Sequence, residues 1–387
     1  MARVLQISAS YYPALKIGGP ITAVHNLNKI LVQKGLDLTV YTTNAHIDGP
    51  ITLNNQTSVD GVNVTYFDFS TALDFMGNTG WQYSPSLKKA LIENIAKYDV
   101  IHIIGLWSYP PLIALRLANK YKIPVIISAH GSLKPEHFAT KHFKKSIYYN
   151  MLLKKQFKKT VFMQYFTQDE ALDTQSFFKL NSKYIVIPNG INILPENEQI
   201  VNQHTGYINL LYLGRIHPVK GIEFLVAVLD GLKRININVK LKIVGTGDTE
   251  YLNSLKLLVV ESDLTDRIEF LGFFDGEKKD RILKNSNVFV LPSYNEAFSM
   301  SILEAMSYKL PVIISDKCYF PEVEKNNAGV VLHHDVGLWL KAIELIVNDP
   351  EAFNKMSSDA YVFVKNNYDI HQISLKYLEC FNYLASN

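Results

Sequence analysis

Short apolar runs alternate with longer amphipathic stretches along most of the chain. In the first half, Val4–Ser8, Leu38–Tyr41, Val62–Phe67, Val100–Ile104, Val125–Ser128 and Val161–Phe166 read as strands, and 20–34, 84–97, 110–121 and 137–158 as helices. The runs are continuously apolar rather than alternating, which is the mark of strands buried on both faces. Such strands separated by helices predict a parallel sheet covered on each side, a doubly wound α/β unit.

The rhythm breaks at 193–205, where Pro195 and several Asn and Gln residues leave no periodicity and mark a linker. It then resumes with strands at Leu210–Leu213, Val239–Val244, Ile268–Leu271, Val288–Leu291 and Val312–Ser315 and helices at 220–233, 249–261, 276–284 and 301–308. Two doubly wound domains follow, 1–190 and 191–367, facing a central cleft at the carboxyl ends of their strands. A last amphipathic segment, about 368–387, with Ile370, Ile373, Leu375, Leu378 and Phe381 on it, reads as a helix packing on a sheet, with the first domain as its expected seat.

At 387 residues and 48% apolar, the chain has material for two cores, and a net charge of +3 does not fit a chain devoted to wrapping nucleic acid. The charge is unevenly spread. Residues 1–190 carry 20 basic and 11 acidic side chains, a balance of +9, while the remainder carries 19 and 25, a balance of −6. The first half therefore favours an anionic partner. Only Cys318 and Cys380 are present, and no Cys/His cluster has zinc spacing, so neither a disulfide framework nor a structural metal is indicated and a reducing cytoplasm fits. The first residues read as a strand rather than a signal peptide, and no apolar stretch reaches the length of a spanning helix.

Candidate chemistry falls where strands end. After Val288–Leu291 comes Pro-Ser-Tyr-Asn-Glu296-Ala297-Phe298-Ser299-Met300, with a helix expected from Met300 and Glu304 one turn inside it. Backbone N–H groups of Phe298, Ser299 and Met300 would make an anion site there, and the two carboxylates would accept from ligand hydroxyls. Taken singly, Glu296 reads as well as a complement to the helix dipole, and Glu304 as a solvated residue. After the first strand of the second half, Gly214-Arg215-Ile-His-Pro-Val-Lys220-Gly221 places two cations beside a helix start, which suits a diphosphate as well as it suits an ordinary surface turn. Lys16-Ile-Gly18-Gly19-Pro20 occupies the same position in the first domain, and His130-Gly131 follows Val125–Ser128. There is no P-loop and no Gly-x-Gly-x-x-Gly fingerprint, so dinucleotide binding is excluded. Each feature alone has a structural explanation, but their convergence on strand ends does not.

Residues 134–159 hold eight lysines and one acid, Glu136, interleaved with Phe138, Phe143, Ile147, Tyr148, Tyr149, Met151, Leu152, Leu153 and Phe157. This reads either as a membrane-surface helix or as a solvated face over an ordinary core face.

In their order and spacing these motifs resemble the retaining GT-B glycosyltransferases of family four (glycosyl transferases group 1). The resemblance spans nearly the whole chain: Gly18-Gly19, His130-Gly131, Ile187-Pro-Asn-Gly190, Gly214-Arg215 with Lys220-Gly221, Val244-Gly-Thr-Gly247, and Glu296-x7-Glu304 leading to Pro311. It implies a GT-B fold of two Rossmann-like domains. It also implies a metal-independent transfer of a hexose from a UDP- or GDP-linked donor to a glycan or lipid-linked acceptor, with no further cofactor.

By the same resemblance, Arg215 and Lys220 would hold the donor diphosphate with Gly214 in the turn, while Gly18 and Gly19 close over it. Glu304 would bind the ribose hydroxyls, and Glu296, Ala297, Phe298, Ser299 and Met300 the sugar, with His130 near the reacting carbon. Ser299 and Lys309 stand where the family usually has Gly; the first bears on donor identity, the second on a turn. A non-catalytic nucleotide-sugar or carbohydrate-binding protein and a GT-B sugar-nucleotide epimerase are the alternatives. A cytoplasmic protein, peripheral on the inner face of a membrane, is the expected setting.

Overall fold

A computed structural model describes the chain apart from residues 48, 72–79, 134–141, 158–160, 181 and 195–207. The linker from Pro195 onward, and Lys134, Glu136, Phe138, Lys141, Lys158 and Lys159 of the basic segment, lie outside the described residues. The chain divides into two units: Met1–Gly190 together with Ile370–Asn387, and Ile191–Asp369.

Unit 1 contains β1 (Arg3–Ser8), β2 (Asp37–Thr43), β3 (Gln56–Val59), β4 (Val62–Phe67), β5 (Val100–Ile104), β6 (Val125–Ser128), β7 (Val161–Tyr165) and β8 (Lys183–Val186). Their order across the sheet is β3-β4-β2-β1-β5-β6-β7-β8. Every pair is parallel except β3 with β4. That hairpin turns on Asp60-Gly61, both at positive φ (49° and 86°), the backbone a two-residue primed turn requires. β1 lies between strands wound in opposite directions, so the β1/β5 junction is the topological switch point of the unit.

Unit 2 contains β9 (Ile208–Leu213), β10 (Val239–Val244), β11 (Ile268–Gly272), β12 (Val288–Leu291), β13 (Val312–Ser315) and β14 (Gly329–Leu332). The order β11-β10-β9-β12-β13-β14 is parallel throughout and puts the switch point at β9/β12. β12 and β13 are buried along their length, as their unbroken apolar sequences require. The architecture is α/β with two Rossmann-like sheets.

The terminal helix, Ile370–Ser386, belongs to unit 1 and buries Ile370, Ile373, Tyr377, Phe381 and Leu384 in the cluster that holds Val4, Val100 and Ile126. Leu375, expected on its apolar face, is 49% exposed, and Tyr377 takes its place in the core. Gly190 is required where this helix passes, because a Cβ there would lie 2.7 Å from the Ile370 Cα.

The single helix expected at 137–158 is not present in its described part. A short helix, His142–Tyr148, runs into a π-type turn, Tyr149–Leu153, and a tight turn, Lys154–Gln156. The wider turn faces Tyr148 and Tyr149 inward together. Their hydroxyls donate to the Leu106 and Phe178 carbonyls at 2.9 and 3.2 Å, so neither tyrosine belongs to a surface stripe. Phe143, Ile147 and Met151 face solvent at 76%, 44% and 68% exposure.

Candidate active site

Past Leu213 the backbone of β9 continues to pair with the glycine loop that follows β10. The Gly214 N–H donates to the Val244 carbonyl at 3.0 Å and the Ile216 N–H to the Thr246 carbonyl at 2.8 Å. Gly245 and Gly247 make this possible, since a Cβ on either would lie 1.8 or 1.9 Å from the Gly214 or Ile216 carbonyl oxygen. The Tyr212 hydroxyl donates to the Arg215 carbonyl at 2.8 Å, which fixes the backbone while the Arg215 side chain stays exposed.

The chain then makes the turn Pro218–Lys220 and enters the helix Ile222–Arg234 through Gly221, at φ 68°. The Val219 carbonyl accepts from the Tyr294 N–H at 2.7 Å and the Ser293 hydroxyl at 3.1 Å. Gly221 sits so close to the loop after β12 that a Cβ would be 2.3 Å from the Pro292 carbonyl oxygen. The two loops at the β9/β12 switch point are therefore one packed body. Across it the Lys220 ammonium donates to the Glu296 carboxylate, in an ion pair whose side chains are 18% and 10% exposed.

Glu296 is held further by its N–H, which donates to the Lys317 carbonyl at 3.1 Å. Beside it, burial first and the Glu296 charge second push the Cys318 thiol up to about 12, so Cys318 is an inert core residue. His217 lies between the cations. Partial burial, then the charges of Arg215 and Lys220, hold its imidazole below the usual range and hence uncharged at neutral pH.

The helix Met300–Ser307 begins at Met300, as expected, with Ser299 as its N-cap. The cap side chain accepts from no backbone N–H of the first turn, since the Ser299 hydroxyl bonds that of Ser301 at 3.0 Å, and the first turn holds no acid. Its N-terminal dipole is thus not neutralised by a carboxylate of its own first turn. Glu304 pairs with Lys279 at 3.1 Å, both about three-tenths exposed. Lys279 was not singled out in the sequence; a cation some 25 positions away carries no local signal. Tyr294 and His334 were missed likewise, and their rings stack at 4.2 Å between centroids.

In unit 1, Gly18 takes φ 103° and Gly19 opens the helix Gly19–Gln33. Space would allow a side chain at Gly18, so its backbone angle alone makes glycine the fit there. His130 follows β6 at φ 51°, with Gly131 at φ 71°. Its ring stands perpendicular to that of Phe166 with centroids 5.0 Å apart, and its Nδ1 is buried with no hydrogen-bond partner among the described residues. Burial lowers its pKa to about 4, so it stands as neutral imidazole.

The structure therefore brings Lys220 and Glu296 into contact and sets Arg215 and the Met300 helix start on the same strand-end loops of unit 2. Glu304 is engaged with Lys279, and Gly18, Gly19 and His130 belong to unit 1. Among the described residues no three His, Cys, Asp or Glu side chains gather as a metal-binding set.

Two doubly wound units, the second with cations and a helix N-terminus at its switch point, define the GT-B class. The sequence description of glycosyl transferases group 1 matches residues 195–363, and that of glycosyltransferase family 4 matches residues 17–193. The chain belongs to the group 1 glycosyltransferases of the family four type and is a glycosyltransferase.

An uncharacterised glycosyltransferase of Methanocaldococcus jannaschii is 27% identical over 78% of this chain and 76% of its own length. One of Haemophilus influenzae is 28% identical, and the chain spans 57% of its length. A phosphatidyl-myo-inositol mannosyltransferase of Mycobacterium leprae is 28% identical over 62% of each chain. Among solved structures, sucrose-phosphate synthase of Thermosynechococcus elongatus superimposes with a TM-score of 0.74 at 18% identity over the full length of both chains. Anabaena HepE, solved in complex with UDP-glucose, does so at 0.71 and 18% over 99% and 100%.

Proposed function

We propose that this glycosyltransferase moves a hexose from a UDP- or GDP-linked donor with retention of configuration, and that cationic side chains rather than a metal neutralise the departing diphosphate. The observation that carries this reading is the Lys220–Glu296 pair at the β9/β12 switch point, beside the Met300 helix start and the exposed Arg215, which has no ion pair among the described residues. Two cations and a helix N-terminus are what a developing diphosphate charge calls for. Glu296 aims the Lys220 ammonium from a largely buried position. Glu304 is the carboxylate for the ribose hydroxyls, reached when Lys279 gives way. His130 serves the reacting sugar as a neutral imidazole. The complex of HepE with UDP-glucose supports a nucleotide-sugar donor, and the mannosyl transfer named for the mycobacterial relative supports a hexose.

The acceptor of this reading is a lipid-linked glycan at a membrane surface. Phe143, Ile147 and Met151, at four-residue spacing, are exposed apolar side chains, and Lys144, Lys154 and Lys155 of the same segment are exposed. No helix among the described residues is long and apolar enough to cross a membrane. The test is a panel of UDP- and GDP-sugars read by thermal shift and by nucleoside diphosphate release, with EDTA present. A binder at 100 times its Kd raises stability by about 2.7 kcal/mol. Shift with acceptor-dependent release supports the reading, and shift without any release makes this a non-catalytic binding protein.

A further inference from the structure

The turn that carries His130 closes on itself, with the Ser132 N–H and hydroxyl donating to the Ala129 carbonyl at 3.1 and 2.6 Å, and is tied a second time from outside. His130 and Gly131 are consecutive left-handed residues, at φ 51° and 71°, and such a conformation in a non-glycine residue persists only where the surroundings impose it. The outside tie is Glu170, 3% exposed, on the helix Gln168–Phe178. Its Oε1 accepts from the Gly131 N–H at 3.1 Å and its Oε2 from the Phe166 N–H at 2.7 Å.

Thr167 caps this helix by accepting from the Glu170 N–H at 3.1 Å, which is one half of a capping box. The other half would send the Glu170 carboxylate to the Thr167 N–H. Here the carboxylate reaches one residue further back and across to another strand end. Both contacts bear on His130: Gly131 is its backbone neighbour, and Phe166 supplies the ring that packs perpendicular to the imidazole. A buried carboxylate spanning two amides makes strong, short-range, orienting bonds.

We propose that Glu170 is the positioning residue for His130, fixing the imidazole through the Gly131 and Phe166 amides. This rests on the reading above that His130 serves the reacting sugar. Glu170→Gln keeps shape and volume but turns an N–H-bearing group toward one of the two amides, so one of the two bonds is lost.

The test is a double-mutant cycle in the full chain, with the nucleotide sugar that the donor panel turns over. Glu170→Gln should lower kcat by about tenfold with KM for the donor little changed, and the same substitution in a His130→Ala background should change kcat by less than about twofold. An equal loss in both backgrounds overturns the proposal, since a merely structural role would act alike in each. His130→Ala with full activity overturns the role of His130 instead. In that case the His130 imidazole resonance decides the geometry, because Glu170→Gln shifts it if the contact positions the ring and leaves it in place if not. Should Glu170→Gln fail to fold, the wild-type Gly131 amide gives the answer: slow hydrogen exchange supports the bond, and exchange as fast as in an open loop overturns it.

Discussion

Lys220 and Glu296 are largely buried partners, so each keeps the other's charge affordable in the fold. Removing one should cost more stability than removing both. Lys220→Ala is expected to lower the unfolding midpoint, and adding Glu296→Ala should recover part of that loss without restoring activity. A double variant less stable than Lys220→Ala alone would contradict the pairing. Lys309 is a second residue-scale case. It ends the helix Met300–Ser307 at φ 60°, with its N–H donating to the Met306 carbonyl at 3.0 Å and the Leu310 N–H to the Ala305 carbonyl at 3.1 Å. Those bonds form a Schellman cap, in which the left-handed residue is usually Gly. The sequence marked Lys309 as the departure, and the structure shows that the backbone angle is kept despite the side chain. Lys309→Val should then destabilise by about 1–2 kcal/mol while Lys309→Gly stays within about 0.5, as read by urea unfolding. Equal effects would mean that the charge, not the angle, matters.

At the scale of elements, the buried strands were the most legible. Val62–Phe67, Val100–Ile104, Val125–Ser128, Val239–Val244, Val288–Leu291 and Val312–Ser315 stand where their apolar runs place them. β3 and β8 were missed because both are short edge strands that bury almost nothing. The helix Gln168–Phe178 was missed because its first turn is polar, and Glu170 there reads as solvated until the fold buries it. Ion pairs such as Lys279–Glu304 join distant segments and leave no pattern to read. His102 and His130 set a pH response. Burial lowers His102, on β5, to about 3, with the charge of His130 adding to it, and burial lowers His130 to about 4. Their folded pKa values lie below the unfolded value near 6.5, so the unfolded chain binds protons first. Stability is then full above about pH 6.5 and falls toward pH 4, by at most about 1.4 kcal/mol per pH unit for each ring. Asp60, Asp99, Asp263, Asp316 and Asp359, all held below the usual carboxylate range, act only at lower pH. Urea midpoints should therefore drop between pH 6.5 and 5, less steeply in His102→Gln. A flat midpoint over that window would show that neither ring is buried neutral.

At the scale of the whole molecule, charge and exposure divide between the units. The basic half carries the exposed Phe143, Ile147 and Met151, and Arg215 and Lys220, proposed to hold the donor diphosphate, belong to unit 2. If Phe143, Ile147 and Met151 meet a lipid surface, Phe143→Ser with Met151→Ser should weaken sedimentation with anionic liposomes while leaving donor binding unchanged. Attraction through Lys144, Lys154 and Lys155 should fade as salt shortens the Debye length. A wild-type protein that ignores such liposomes at low salt would point to a water-soluble acceptor. The central claim is that unpaired cationic charge at the β9/β12 switch point drives departure of a nucleoside diphosphate. Arg215 tests it most directly, because it is exposed and has no ion pair among the described residues, so Arg215→Ala should leave stability within about 0.5 kcal/mol of wild type. The measurement is acceptor-dependent release of UDP or GDP from the nucleotide sugar that binds, in EDTA, by wild type and Arg215→Ala at matched folded concentration. A drop in kcat/KM of more than about tenfold is the predicted result. Equal rates in the two proteins would contradict the account.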